Sequence, residues 1–274
     1  MIEGTILLVG CGRMGGALLE GWFKQGLNPV DVIIVEPAGR DTVAPCSKHR
    51  ALTCLATVTE VPRDFVPDVV LFAVKPQVAD GVVGDYRRFV DKAPVFLSVI
   101  AGKTTGYFQK HLGDAAAVVR CMPNTPAAVG KAVTAMYAAP AASVVQRRVC
   151  EVLLQAVGEV AWLADETLMD AVTAVSGSGP AYVFLMVEAL RDAGIAAGLP
   201  PDVAAHLARS TIVGSGALLD RDAATAPDVL RRNVTSPGGT TAAALSVLMG
   251  ENGLTELMVR AVAAAAKRSK ELAG

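Results

Sequence analysis

Short runs of consecutive apolar residues, separated by longer stretches of helical period, organise the first half of the chain. Residues 5–9, 32–35, 69–74, 95–100 and 116–121 carry Val, Ile and Leu on adjacent positions, the pattern of parallel strands buried on both faces. Between them, residues 14–25 and 77–89 read as helices. Strand, helix, strand at this spacing is the βαβ pattern of a doubly wound sheet. After about residue 160 the texture changes, and the segments become long, Ala- and Leu-rich and helical in period. Over residues 253–273, Leu254, Leu257, Met258, Ala261, Val262 and Ala265 form one apolar stripe. Lys267, Arg268 and Lys270 fall in its last turns, where cations complement the helix dipole. The pattern predicts an α/β domain over residues 1–162 and an all-helical domain over residues 163–274, with no internal repeat between them.

A length of 274 residues fits two domains, at about 150 residues each. The charge sum, 25 Lys and Arg against 26 Asp and Glu, is −1. That argues against a nucleic-acid partner, which requires a basic excess on one face. Apolar residues make up 52% and charged residues 19%. Such a chain is not disordered. It can bury a large core and keep apolar surface for another subunit. No membrane span is expected, because the charge-free stretch 171–187 is broken by Ser176-Gly177-Ser178-Gly179-Pro180 and a bilayer requires an apolar helix of about 20 residues. The opening Met1-Ile2-Glu3 carries no basic stretch of the kind that starts a leader. Five scattered cysteines without a CxxC pair read as reduced thiols of a cytoplasmic protein. The three histidines lie near no cysteine cluster, so no metal site is expected.

The first apolar run leads directly into Gly10-Cys11-Gly12-Arg13-Met14-Gly15. This is G-x-G-x-x-G after a strand and at the opening of a helix, the context in which it binds a dinucleotide. Gly10 permits the tight turn, Gly12 lets the backbone approach a pyrophosphate, and Gly15 lets the helix pack closely on the strand. The helix N-terminus then holds the phosphates. The fold class expected is therefore an N-terminal Rossmann-type doubly wound parallel sheet followed by an all-helical C-terminal domain. The second strand runs on into Glu36-Pro37-Ala38-Gly39-Arg40. Glu36 stands where a carboxylate grips the ribose hydroxyls of NAD and repels a 2′-phosphate, whereas Arg40 could bind that phosphate. Arg13 is a further candidate for a phosphate. The signals conflict, with a lean to NADP or to use of both cofactors. Gly102-Lys103-Thr104 resembles the end of a P-loop, but Leu97 occupies the place of that loop's first glycine.

The helical half lacks the usual proton-moving groups. No lysine occurs between Ala132 and Ala266, and His206 reads as a packing or interface residue. Dehydrogenases acting on alcohols need such a group. Its absence suits a protonated imine, which is already electrophilic and needs mainly positioning. Thr235-Ser236-Pro237-Gly238-Gly239-Thr240-Thr241 precedes a helical run. It could offer bare amides to a substrate carboxylate, or it could be ordinary N-capping by Ser236 or Thr240 beside a glycine turn.

Several separate motifs along nearly the whole chain resemble pyrroline-5-carboxylate reductase, the last enzyme of proline biosynthesis. They are Gly10-Cys11-Gly12-Arg13-Met14-Gly15, Ala73-Val74-Lys75-Pro76, Ala101-Gly102, Met122-Pro123-Asn124-Thr125-Pro126, Asp170-Ala171-Val172-Thr173 with Ser176-Gly177-Ser178-Gly179-Pro180-Ala181-Tyr182, and Asn233 with the cluster from Thr235 to Thr241. The resemblance implies reduction of L-1-pyrroline-5-carboxylate to L-proline by NADPH or NADH. It also implies a helical domain that intertwines with its twin in a homodimer or larger homo-oligomer. Carried over, Val9, Gly10, Cys11, Gly12, Arg13 and Met14 hold the pyrophosphate. Ala73, Val74 and Lys75, with Val99 and Ala101, line the cofactor cleft, Lys75 in an orienting role, and Asn233 touches the cofactor. Ser236, Gly239 and Thr240 hold the substrate carboxylate, Thr241 hydrogen-bonds the ring nitrogen, and Glu166 lies near the substrate. Two positions depart from the family: Glu36-Pro37, where relatives often carry a Ser and a short polar run, and residues 57–60, where they often carry an Asn. Both serve the adenosine end. The alternatives are a β-hydroxyacid-type dehydrogenase, which needs the missing lysine, and a non-catalytic dinucleotide-sensing protein.

Overall fold

The computed structural model describes residues 4–273. Met1, Ile2 and Glu3, on which the expectation of no leader rests, lie outside the described residues, as does Gly274. Contacts divide the chain into two compact units, Met1–Gly177 with Ala266–Gly274, and Ser178–Ala265.

In the first unit the elements run β1 (Ile6–Val9), α1 (Arg13–Lys24), β2 (Val32–Val35), α2 (Ala44–Lys48), β3 (Thr53–Leu55), β4 (Val69–Phe72), β5 (Val95–Ser98), α3 (Thr105–Leu112), β6 (Ala117–Met122), β7 (Ala132–Ala138), α4 (Val144–Gln155), β8 (Gly158–Trp162) and α5 (Met169–Val172). The eight strands form one sheet in the order β3-β2-β1-β4-β5-β6-β7-β8. Every neighbouring pair is parallel except β6–β7, which is antiparallel. The order reverses direction beside β1, so β1 and β4 flank the crevice in which doubly wound sheets bind ligands.

Both faces of the sheet are covered. Ile6 and Leu8 of β1 pack with Leu18, Leu19 and Trp22 of α1 and with Leu153 and Leu154 of α4 in one core cluster. Leu7 and Val9 point the other way, into a cluster with Phe72, Tyr86, Phe89, Phe96 and Phe108. Two-sided burial explains why these strands appear as unbroken apolar runs. Trp22 also donates its indole N–H to the Leu153 carbonyl at 2.8 Å, tying α1 to α4.

Three strands were not expected. β3 is only three residues long, and β7 (Ala-Val-Thr-Ala-Met-Tyr-Ala) is too rich in alanine to carry a strand signal. β8 lies at the sheet edge and is partly exposed, so it shows no clean apolar run. The helix expected over residues 77–89 is instead two 3-10 stretches, Pro76–Gly81 and Val83–Lys92. The buried Val83, Tyr86 and Phe89 recur every third residue, which matches a helix of three residues per turn.

The second unit holds α6 (Gly179–Ala196), α7 (Pro201–Arg221), α8 (Pro227–Asn233), α9 (Thr240–Leu248) and most of α10 (Leu254–Ala273). α6 and α7 pack on each other, with Gly194 set against Ala204 and Leu199. Within residues 178–265 only Ala204 and Ala208 are buried. Phe184 is 62%, Val213 66% and Val247 75% exposed. Among the described residues no helix is long and apolar enough to cross a membrane.

Candidate active site

The glycine loop joins β1 to α1. Gly10 has φ +81°, and its amide donates to the Val35 carbonyl at 2.9 Å, holding the loop against the end of β2. A Cβ there would lie 2.7 Å from Val74 Cγ1. Gly15 is equally constrained, since its Cβ would lie 2.8 Å from the Gly10 carbonyl oxygen. Gly12 differs: a Cβ would meet nothing within 4 Å, so the space over its backbone is open. Gly12 caps α1 without a side-chain hydrogen bond, and the first turn contains no carboxylate. The opening amides of α1 are therefore available to an anion, and the open surface at Gly12 fits a pyrophosphate. Arg13, the first residue of the helix, is exposed, and Met14 is half-buried.

The neighbouring strand ends frame this loop. The Ala73 amide donates to the Val9 carbonyl at 2.8 Å, which brings residues 73 and 74 under Gly10. Lys75 follows, exposed, at the cap of the 3-10 stretch. The Val99 amide donates to the Phe72 carbonyl at 3.1 Å, and Ala101 is exposed just beyond it. Val9, Ala73, Val74, Lys75, Val99 and Ala101 thus sit at or just beyond the C-terminal ends of β1, β4 and β5.

At the end of β2 the Glu36 carboxylate accepts two backbone N–H groups, from Cys11 at 2.9 Å and from Ala38 at 3.2 Å. Arg40 lies in the loop that follows. Its guanidinium donates to the carbonyls of Leu52, Cys46, His49 and Arg50. Residues 57–60 close on themselves, the Glu60 carboxylate accepting from the Thr57 amide at 2.9 Å and from the Thr57 hydroxyl at 2.8 Å. Burial, with Cys46, Glu36 and Cys54 nearby, pushes the Cys11 thiol up to about 12. Cys11 is thus an inert apolar filler beneath the loop.

Glu166 lies in the first unit. One carboxylate oxygen accepts from the Thr105 amide at 2.8 Å and from Arg120 at 3.0 Å, and the other accepts from the Thr105 hydroxyl at 2.7 Å. The Glu166 side chain is 20% exposed and that of Arg120 8%. The group holds the start of α3 to β6.

In the second unit α8 ends at Asn233, which is exposed. The chain turns through Ser236 to Gly239, with Gly238 at φ +68° and the Gly239 amide bonded to the Ser236 carbonyl at 3.0 Å. α9 starts at Thr240 with Gly239 as its cap. No side chain caps it, and no carboxylate stands in its first turn. Capping by Ser236 or Thr240, the alternative left open by the sequence, is not what the structure shows. The first amides of α9 lack intrahelical partners by helix geometry, and the hydroxyl-bearing Thr240 and Thr241 stand at the same helix start.

Two family models match the chain, one described as pyrroline-5-carboxylate reductase dimerisation over residues 166–272, the other as NADP oxidoreductase, coenzyme F420-dependent, over residues 5–102. The pyrroline-5-carboxylate reductase of Pisum sativum is 37% identical over 268 residues, covering 98% of this chain and 96% of that one. The chain belongs to the pyrroline-5-carboxylate reductase family. Among solved structures, the pyrroline-5-carboxylate reductase of Coxiella burnetii aligns with a TM-score of 0.90 at 32% identity, covering 98% of both chains. The Plasmodium falciparum pyrroline carboxylate reductase, solved with NADP bound, aligns with a TM-score of 0.83 at 27% identity over 100% of both.

Within this member of the pyrroline-5-carboxylate reductase family, two side chains not singled out from the sequence organise the first unit. Buried Asn124 donates to the Ser176 hydroxyl at 3.2 Å and accepts the Val133 amide at 3.1 Å, linking β7 to the π-helical turn Thr173–Gly177. π-turns of this kind gather at functional sites. Thr105 is the second, as the partner of Glu166. The available signal for Asn124 was its place in the Met122-Pro123-Asn124-Thr125-Pro126 motif, as an amide able both to donate and to accept.

Proposed function

We propose that this chain reduces the C=N bond of L-1-pyrroline-5-carboxylate to L-proline with NADPH or NADH, the last step of proline biosynthesis, in the cytoplasm. The observation that carries the proposal is the start of α9, a glycine-capped helix N-terminus with neither a capping side chain nor a carboxylate, in a chain of this family. Such a terminus suits a substrate carboxylate.

A bound reduced nicotinamide supplies the hydride. The backbone from Val9 to Met14 would hold its pyrophosphate and Glu36 would meet the adenosine end, where Arg40 supports the loop through backbone carbonyls. Ala73, Val74, Lys75, Val99 and Ala101 would line the rest of the cofactor site, and the family resemblance makes Asn233 a further candidate for a cofactor contact. Ser236, Gly239 and Thr240 hold the carboxylate and so orient the ring. The carbon of C=N gains the hydride and its π electrons pass to nitrogen. The nitrogen takes one proton, from the Thr241 hydroxyl or from a water that Thr241 orients. No lysine lies between residues 132 and 266 to serve a hydroxyacid, and an imine needs none. Glu166, although engaged with Thr105 and Arg120, remains part of the proposed substrate surroundings.

The chain acts as a homodimer or larger homo-oligomer, an arrangement supported by the exposed apolar side chains of α6, α7 and α9. Nucleic acid and membrane have no part in it.

The test follows reduced-nicotinamide absorbance with NADH and NADPH, with and without pyrroline-5-carboxylate, and identifies the product. Substrate-dependent oxidation yielding L-proline is expected. Oxidation driven by no imine acid, or reduction of 3-oxoacids to 3-hydroxyacids instead, overturns the proposal.

A further inference from the structure

We propose that Glu36 sets the choice between the two cofactors and that this chain binds NADH in preference to NADPH. The inference rests on the dinucleotide reading above. It turns on what the two charged groups at the end of β2 are already doing.

A carboxylate has about four lone-pair sites. In Glu36 two of them accept backbone N–H groups, one from Cys11 of the glycine loop and one from Ala38. The backbone amide of Glu36 donates to the Leu55 carbonyl at 2.9 Å, so the residue is fixed at both ends. Two lone-pair sites remain, and they match the two hydroxyls of an adenosine ribose, each an O–H donor. A 2′-phosphate offers only acceptor oxygens and negative charge, and it meets like charge here.

Arg40 is the cation that could reverse this preference, and both of its Nη groups are already engaged. A guanidinium carries five N–H donors. Arg40 directs Nη1 to the Leu52 carbonyl and Nη2 to those of Cys46, His49 and Arg50, closing the loop from α2 to β3 around itself. Recruiting it to a phosphate would strip four backbone carbonyls of their donor. Residues 57–60 place another carboxylate, Glu60, immediately after β3, closing its own turn. Arg13 and Arg50 are exposed, and a preference for NADPH traced to either would overturn the proposal.

The experiment is calorimetric binding of NADH and of NADPH to the purified full-length oligomer, with kcat/KM for each at saturating pyrroline-5-carboxylate as a second readout. The wild type is expected to bind NADH about tenfold more tightly than NADPH, the order of effect of like charges at contact distance between bulk water and a protein surface. Glu36→Gln removes the charge and keeps one acceptor, and it is expected to narrow the NADH:NADPH ratio about tenfold. A variant that merely loosened the loop would weaken both ligands and leave the ratio unmoved, which would overturn the proposal. Arg40→Met is expected to lower Tm and leave the ratio unchanged, whereas selective loss of NADPH would show Arg40 to be a phosphate ligand and overturn it. Equal or tighter NADPH binding by the wild type also overturns it. Selective binding of NADH without imine-dependent turnover sinks the reaction and leaves the selection standing. Failure to bind either dinucleotide sinks both.

Discussion

Replacing Glu166 by Ala tests whether that carboxylate serves the fold or the substrate. Its two oxygens accept from Arg120 and twice from Thr105, and the Arg120 side chain is 8% exposed. Removing one member of a buried ion pair costs about 3–5 kcal/mol, because it strands the other charge. Glu166 itself is 20% exposed, so water can enter the space it vacates, and the loss falls near the lower end, about 3 kcal/mol. For a unit of this size about 2–4 °C of Tm accompanies each kcal/mol. Glu166→Ala is therefore expected to melt about 6–12 °C below the wild type. Arg120→Met with Glu166→Leu removes both charges and should recover part of that loss, since no unpaired ion remains. Differential scanning fluorimetry gives the Tm values, and steady-state kinetics on the same samples gives KM for the imine. A Glu166→Ala protein that melted within about 2 °C of the wild type, less than 1 kcal/mol, and lost substrate affinity would refute the structural role and make Glu166 a substrate ligand. A double variant no more stable than Glu166→Ala would refute the stranded-charge reasoning.

Gly12→Ala places a methyl in open space with an extended backbone at φ −71°. Its Tm should stay within about 2–4 °C of the wild type, while dinucleotide affinity measured by calorimetry falls about tenfold or more, as one charge-assisted contact is lost. Thr241→Ala should lower kcat much more than it weakens cofactor binding, and equal losses in both would count against a role at the ring nitrogen. Val213→Glu with Phe184→Asp places charge on two exposed apolar positions of α7 and α6. Light scattering should then report a smaller species than the wild type, and an unchanged mass would exclude that face from the interface. The buried Cys11 thiol is raised from the ordinary 9.0 to about 12, so the stability held by keeping it neutral is complete below pH 9.0 and lost as pH climbs towards about 12. Cys11→Ala should therefore flatten part of the alkaline fall in the urea midpoint, and an unaltered pH profile would contradict the burial of that thiol.

The features legible in the sequence are those that one local pattern fully determines. Five strands were readable because each is buried on both faces, so nearly every position along it is apolar, Ser98 at the end of β5 and Arg120 in β6 being the polar ones. The glycine loop was readable because its spacing comes from backbone geometry that only particular residues satisfy. β7 and β8 escaped because an alanine-rich strand and a half-exposed edge strand present no such pattern. The partners of the charged residues escaped for a different reason. Arg40 looked like a phosphate ligand by its distance from Glu36, yet it binds the carbonyls of Cys46, His49, Arg50 and Leu52. Carbonyls are common to every residue and leave no mark in a sequence, so a cation spent on them cannot be distinguished from a free one by spacing. The same holds for Glu166, whose partners Thr105 and Arg120 lie 61 and 46 positions away. The backbone part of a dinucleotide site can thus be read from glycine positions. Its specificity cannot, because it depends on which donors and acceptors of the charged groups the fold has already engaged, and that depends on tertiary neighbours. Glu36 and Arg40 both keep their charge, since amides and carbonyls are neutral, and they differ in what they have left to offer. The Glu36 carboxylate accepts two amides and keeps lone-pair sites for a ligand, whereas both Nη groups of Arg40 are held by carbonyls of its own loop.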